Sequence, residues 1–242
     1  MIRIIYIIIL SYFVLGGIGF YFINRKKEAL AARKSYTKFF TYFLIINILF
    51  FSIVFNSVVF RILSIIIIGV GFYELFKLFS KSAYKGKSFY LSANIIFACL
   101  SIGFYFFSGL EKELILFSFL ILSIFDSFSQ ISGQLWGRTK IFPNISPNKT
   151  VGGLIGGFIA AFGSLFLLHE LYPEPLLKVI IMTIGVLIFA FAGDVAASFF
   201  KRKYKVKDYS NLIPGHGGFL DRFDSLIAGG AWVALYMYVF NF

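Results

Sequence analysis

The sequence predicts an all-α polytopic membrane protein, with about eight transmembrane helices in one bundle. Three observations lead there. Of 242 residues, 59% are hydrophobic and only 14% are charged. Several uninterrupted apolar runs reach the roughly 20 residues that cross a bilayer. The remaining charges fall in short clusters between those runs, and the clusters alternate in character along the chain.

The apolar runs place helices at roughly 4 to 23, 39 to 57, 60 to 77, 89 to 108, 114 to 134, 152 to 169, 176 to 200 and 225 to 240. The first is long, has only Arg3 ahead of it and lacks a small-residue cleavage site before Arg25-Lys26-Lys27, so it reads as a retained span. Loop one then carries Arg25, Lys26, Lys27, Arg33, Lys34 and Lys38, loop three Lys81, Lys85 and Lys87, loop five Arg138, Lys140 and Lys149, and loop seven Lys201, Arg202, Lys203, Lys205 and Lys207. Loop four offers Glu111, Lys112 and Glu113, and loop six His169, Glu170 and Glu174. The positive-inside rule puts the odd loops in the cytoplasm and both termini outside. The formal charge of +12 follows from that topology and from anionic headgroups, with no need for nucleic acid. No repeat or linker divides the chain, so 1–242 reads as a single integral membrane domain, with N-terminal helices over about 1–110 and a motif-bearing half over about 111–242. The single cysteine, Cys99, excludes an intramolecular disulfide and a thiolate metal site. The 34 phenylalanines ask for no more than lipid contact and helix packing.

Chemistry is expected in loops five and seven. Asp126, Gln130, Gly133 and Gly137 follow at spacings of four, three and four, which puts a carboxylate, an amide and two glycines on one helical face. An intramembrane carboxylate turns toward a partner, a cavity or an ion. Ser146-Pro147-Asn148-Lys149-Thr150 precedes Gly152-Gly153 and Gly156-Gly157 at the start of the sixth helix. That arrangement suits either a phosphate at a helix N-terminus or a capped helix whose glycines allow close packing. The lysine precedes the glycines, which is the wrong order for a nucleotide-binding P-loop.

Asp194, Ser198, Lys201 and Lys205 form a second helical stripe, followed by Arg202, Lys207 and Asp208. Asp221 and Asp224, three apart, can point the same way from the first turn of the eighth helix. Asp194, Asp208, Asp221 and Asp224 crowd into about thirty residues of a chain with 11 acidic side chains. Carboxylates mixed with fixed cations suit nucleotidyl transfer, in which Mg2+ takes one or two protein oxygens and shares the rest with water and phosphates. Gly217 and Gly218 let backbone approach a ligand, and His216 can bond a phosphate or tune a carboxylate. N-terminal capping is the structural alternative for Asp221 and Asp224.

The run from Ser198 to Asp224, S-F-F-K-R, K-D, then P-G-H-G-G-F-L-D-R-F-D, resembles the signature of phosphatidate cytidylyltransferases, also called CDP-diacylglycerol synthases. Ser146 to Thr150 and the upstream Asp126 resemble that family's first motif, and Glu74 in Gly71-Phe-Tyr-Glu74 echoes a family glutamate. The resemblance implies transfer of CMP from CTP to phosphatidic acid, giving CDP-diacylglycerol and pyrophosphate at the cytoplasmic face of a bacterial inner membrane. It implies that Asp194 and Asp221 hold Mg2+, with K+ as a candidate second ion, and that Asp224 and Asp208 support them. It implies further that Lys201, Arg202, Lys207 and Arg222 bind phosphates, and that Ser146, Lys149, Thr150, Ser198, His216, Gly217, Gly218 and Asp126 line the substrate cavity. Two features depart from the family pattern. Gly152 stands where a glutamate is usual, and Ser129-Gln130 replaces Ala-Tyr, as in a short divergent branch. The alternatives are a CTP-dependent lipid-alcohol kinase, a transporter using Asp126 and Asp194 as intramembrane sites, and a non-catalytic scaffold. Small-residue stripes on the sixth helix permit a homodimer.

Overall fold

A computed structural model describes residues 2–25, 28–83, 85–215 and 217–240. The described chain runs α1 (Ile2–Asn24), α2 (Ala29–Phe55), α3 (Ser57–Lys81), α4 (Lys87–Phe107), α5 (Lys112–Trp136), β1 (Lys140–Phe142), β2 (Ser146–Thr150), α6 (Val151–Leu168), a 3-10 turn (His169–Leu171), α7 (Leu176–Lys203) and α8 (Leu220–Phe240). The expected all-α polytopic architecture is present. Among the described residues, 7 helices are long and apolar enough to cross a membrane, and α1 adds a shorter apolar stretch at Ile2–Ile18.

Three local differences from the sequence reading have physical causes. Helix α2 begins at Ala29 and not near 39, so Arg33 and Lys38 lie on a helix instead of in a loop. Its opening Ala29-Leu-Ala-Ala-Arg-Lys is made of strong helix formers, and its candidate span starts only at Ser35, which leaves the charged turns outside the apolar stretch. Loop five is not irregular: β1 and β2 form an antiparallel hairpin pairing Lys140 with Thr150 and Phe142 with Ser146, with an irregular register between. Helix α8 starts at Leu220 instead of 225, because the Glu74 carboxylate of α3 takes up the Phe219 and Leu220 N–H groups at its start.

Helix α8 is the axis of the bundle, packed against α7, α4, α5 and α3. Its inward residues include Ala228, Gly229, Gly230 and Ala231, small enough to admit Phe104 and Phe107 of α4, both fully buried. Two polar stitches tie it to α7: Trp232 Nε1 donates to the Met182 carbonyl at 3.1 Å and the Tyr236 hydroxyl to the Lys178 carbonyl at 3.1 Å. Helices α5 and α6 make the most extensive helix pair, with the glycines of α6 laid on α5.

The ends of the bundle differ. Thr41, midway along α2, donates to the Pro214 carbonyl at 3.3 Å, and Arg202 at the end of α7 donates to the Ile145 carbonyl of the hairpin at 3.1 Å. Lys77 and Lys81 of α3 face residues 206–212. Segments adjoining loops one, three, five and seven therefore meet at one end, the end that charge alternation selects. The opposite end carries Glu174, bonded to Lys178 at 3.2 Å and to His169 through its carbonyl at 3.0 Å.

A side chain at Gly157 would meet the Ser129 hydroxyl and the Phe125 carbonyl and ring. Gly157→Val is expected to lower stability by about 1–3 kcal/mol through overpacking of the α5–α6 interface, read as an earlier thermal transition in detergent.

Candidate functional site

At the end where the odd loops gather, carboxylates from four helices meet lysines, an arginine and backbone N–H groups. Glu74 of α3 is fully buried. It accepts from the Ser210 hydroxyl at 2.5 Å, Phe219 N at 2.8 Å and Leu220 N at 2.7 Å. Glu74 thus caps α8 from another helix, satisfying donors that a helix start otherwise leaves unpaired. Its charge also complements the positive end of the α8 dipole.

Asp221 organises the same loop from within. Its Oδ1 accepts from Lys201 Nζ at 2.5 Å, and its Oδ2 accepts from Tyr209 N at 2.9 Å and Gly218 N at 2.8 Å. The Lys201 and Asp221 side chains are 9% and 2% exposed, so this is a buried ion pair whose remaining lone pairs are filled by backbone donors, the condition under which burial is tolerable. Lys201 Nζ also lies 5.2 Å from the centroid of the Tyr209 ring. Burial, reinforced by Asp224, Asp221, Glu74 and Asp194, holds the Tyr209 phenol well above its ordinary pKa and therefore neutral. Gly218 is needed for close approach: a Cβ there would meet Asp221 Oδ2, the Tyr209 Cβ and Glu74 Oε1. Gly217 adopts a φ of +89°, a left-handed conformation costly to other residues, and its open side faces Asp208.

A second pair lies beside the first. Lys149 Nζ at the end of β2 bonds Asp194 Oδ2 of α7 at 2.5 Å and sits 4.6 Å from the Phe191 ring centroid. These side chains are 19% and 35% exposed, so the pair is reachable from outside. Asp194 Oδ1 takes a long contact of 3.4 Å from the Ser198 hydroxyl. Asp126 lies in electrostatic range of Asp194, Lys149 and Arg222, and Asp224 in range of Asp194, Lys201 and Asp221. Asp126 is exposed although it belongs to a membrane-length helix. Tyr42 of α2 lies beside it, hydrogen-bonded with Ser127 and in range of Asp126 and Arg222.

The structure thus brings together Asp126, Lys149, Asp194, Ser198, Lys201, Asp221, Arg222 and Asp224. Other expected site residues have different surroundings. Arg202, expected to hold phosphate, donates instead from Nε to the Ile145 carbonyl and from Nη1 to the Val206 carbonyl at 2.8 Å, latching the hairpin to the loop after α7. Thr150 caps α6, accepting from Gly153 N at 3.1 Å, and Ser146 pairs with Phe142 in the hairpin. Lys207 and Asp208 line a separate cleft with Lys77 and Lys81. Gly217 and Gly218 shape the backbone around Asp208 and Asp221. His216 lies outside the described residues. Two contributors escaped the motif reading: Tyr42, an aromatic in an apolar run with no distinguishing signal, and Ser127, adjacent to Asp126. Glu74 was visible as an intramembrane acid, but its partners are 136 to 146 residues away.

Comparison with known proteins bears on the same residues. The Cytidylyltransferase family model matches residues 111–240. The chain belongs to this family. Similar proteins include the phosphatidate cytidylyltransferase of Staphylococcus haemolyticus, 38% identical over 137 residues, covering 54% of this chain and 52% of that protein. That of Staphylococcus aureus strain COL is likewise 38% identical over 137 residues, with coverage of 54% and 52%. That of Bacillus subtilis is 40% identical over 104 residues, covering 42% of this chain and 39% of that protein. The chain spans about half the length of the curated relatives it matches. In this chain Gly152 has a local reason: a Cβ at this position would lie 3.0 Å from the Trp136 carbonyl oxygen at the end of α5.

Two substitutions test this geometry. Glu74→Ala leaves three donors without their acceptor and should cost at least about 2 kcal/mol. Amide exchange across 207–220 should accelerate selectively, and unchanged exchange there would contradict the capping role. Gly152→Glu should lower the melting temperature, because the added side chain presses on backbone, whereas a neutral or stabilising effect would show that α5 and α6 can separate at no cost.

Proposed function

We propose that this cytidylyltransferase transfers CMP from CTP to phosphatidic acid, forming CDP-diacylglycerol and pyrophosphate, with its site facing the cytoplasm. The observation that carries the reading is the partly exposed Lys149–Asp194 pair, set among Asp126, Arg222 and Asp224 within the residues that the family model matches. Relatives named phosphatidate cytidylyltransferase support the choice of acceptor. The gathering of basic loops at this end supports the cytoplasmic orientation.

In this reading a phosphate oxygen of phosphatidate attacks the α-phosphorus of CTP in line, and the bond to the β-phosphate oxygen breaks, its electron pair leaving with pyrophosphate. The attacking oxygen is already ionised, so the protein needs no strong base. Its contribution is alignment and charge neutralisation. Lys149 and Arg222 are placed to meet phosphate oxygens. Lys201, fixed by Asp221, adds positive potential from below. When Lys149 turns to a triphosphate, Asp194 Oδ2 is released.

That release bears on Mg2+. Among the described residues, no three acidic, histidine or cysteine side chains close around one ion. A full protein cage is not what Mg2+ requires, since it commonly takes one or two carboxylates and completes its shell with phosphates and water. The hard oxygens of Asp194, with Asp224 in electrostatic range, fit that requirement. Both oxygens of Asp221 are committed to Lys201 and two N–H groups, so Asp221 joins a metal only by exchanging one of those bonds. Mg2+ bound here would neutralise phosphate charge and favour departure of pyrophosphate. K+ as a second ion has no separate donor set among these residues.

Detergent-purified protein given phosphatidate, Mg2+ and CTP labelled at either the α or the γ phosphate tests the reading. The α label should enter the chloroform phase while the γ label leaves as pyrophosphate; γ label on an added lipid alcohol would establish a kinase instead. Asp194→Asn should reduce turnover by at least about a hundredfold while the protein stays folded and inserted. Wild-type turnover in that variant would remove Asp194 from the site.

A further inference from the structure

Lys207 and Asp208 do not join the Lys149–Asp194 pair. They line a cleft of about 420 Å3 between the last turns of α3 and the loop after α7, together with Lys77, Lys81, Ser210 and Asn211. Three ammonium groups face one carboxylate there. None of the three lysines is in an ion pair among the described residues, although Lys77 lies 5.4 Å from the Tyr73 ring centroid. Lys81 closes the candidate span Ser57–Lys81, which sets the cleft at headgroup depth. The Asn211 amide beside lysines outside any ion pair gives a donor-rich pocket that suits a phosphate group.

The cleft is also connected to the acidic cluster. Ser210 on its wall donates to Glu74, and Glu74 caps α8. The preceding Tyr209 turns its ring against Phe200 and gives its N–H to Asp221. Helix α3 therefore presents Lys77 and Lys81 to the cleft and Glu74 to the first turn of α8, so an anion bridging α3 to residues 206–212 would clamp both.

We propose that this cleft is a second phosphate site, separate from the Lys149–Asp194 pair, which takes the phosphate of an anionic phospholipid headgroup or of a free phosphate ion and thereby orders the loop that holds Asp221. At headgroup depth the lipid is the source the geometry favours. Anionic lipid then acts on the site without being its substrate.

Hydrogen exchange across Val206–Leu212, followed in nanodiscs, tests this without requiring turnover, so its failure and failure of the assigned reaction are distinguishable. Phosphatidylglycerol added to phosphatidylcholine discs should slow exchange in this segment. Lys77→Gln/Lys81→Gln should weaken the apparent affinity roughly tenfold or more, at about one kcal/mol per lysine near an anionic surface. The pair Lys112→Gln/Lys178→Gln, at the opposite end, should leave it unchanged. Lysine-dependent protection by inorganic phosphate in pure phosphatidylcholine discs would uphold the site and assign it to soluble phosphate. Protection by neither probe, or protection that survives in Lys77→Gln/Lys81→Gln, would overturn the proposal.

Discussion

Ionised side chains at the end of an apolar bundle must find counter-charges or N–H donors within a few ångströms, and the rest of this structure is arranged around that demand. Glu74 has no lysine and is satisfied by Ser210 and two backbone groups of α8. Asp221 has one lysine and two backbone groups. Asp194 has a lysine that solvent can reach. The series runs from locked to exchangeable. A carboxylate saturated by backbone donors builds a scaffold, whereas one held by a flexible ammonium can change partners.

The site is not the property of one half of the chain. Residues 111–240 supply Asp126, Lys149, Asp194, Lys201 and Asp221, the residues the family comparison covers. Yet the first turn of α8 is held by Glu74, and Tyr42 stands beside Asp126 and Arg222. The N-terminal helices, which read in sequence as little more than hydrophobic filler, therefore fix the geometry that the motifs need. Arg202 does comparable work from the other side by joining hairpin to loop.

Much of this was legible beforehand, for reasons that can be named. Bilayer thickness sets helix length, so composition alone exposes the bundle. Acid and base at helical spacing mark the Asp194 stripe, and an intramembrane Asp126 calls for charged neighbours, here Lys149 and Arg222. The hairpin was hidden because Ser146 to Thr150 has little strand character, and its pairing depends on Phe142 and on docking beside Phe191. The latch formed by Arg202 was hidden because a cation among cations does not announce the two carbonyls that accept from it. Tyr42 carries no local signal at all. Gly152 was read against the family glutamate, and only the nearness of the Trp136 carbonyl explains why a small residue suits this chain.

The bonds from Glu74 to α8 cross 146 positions of sequence, and α8 is the last of the described helices. During synthesis α3 would enter the bilayer long before its partner exists. Until then Glu74 is an unaccompanied acid in hydrocarbon, a condition that favours retention near the insertion machinery. Arrival of α8 supplies the missing donors and fixes the acidic cluster in one event. Biogenesis and competence would then coincide: a nascent chain lacking α8 carries a polar flaw that membrane quality control can recognise, and only the finished bundle conceals it.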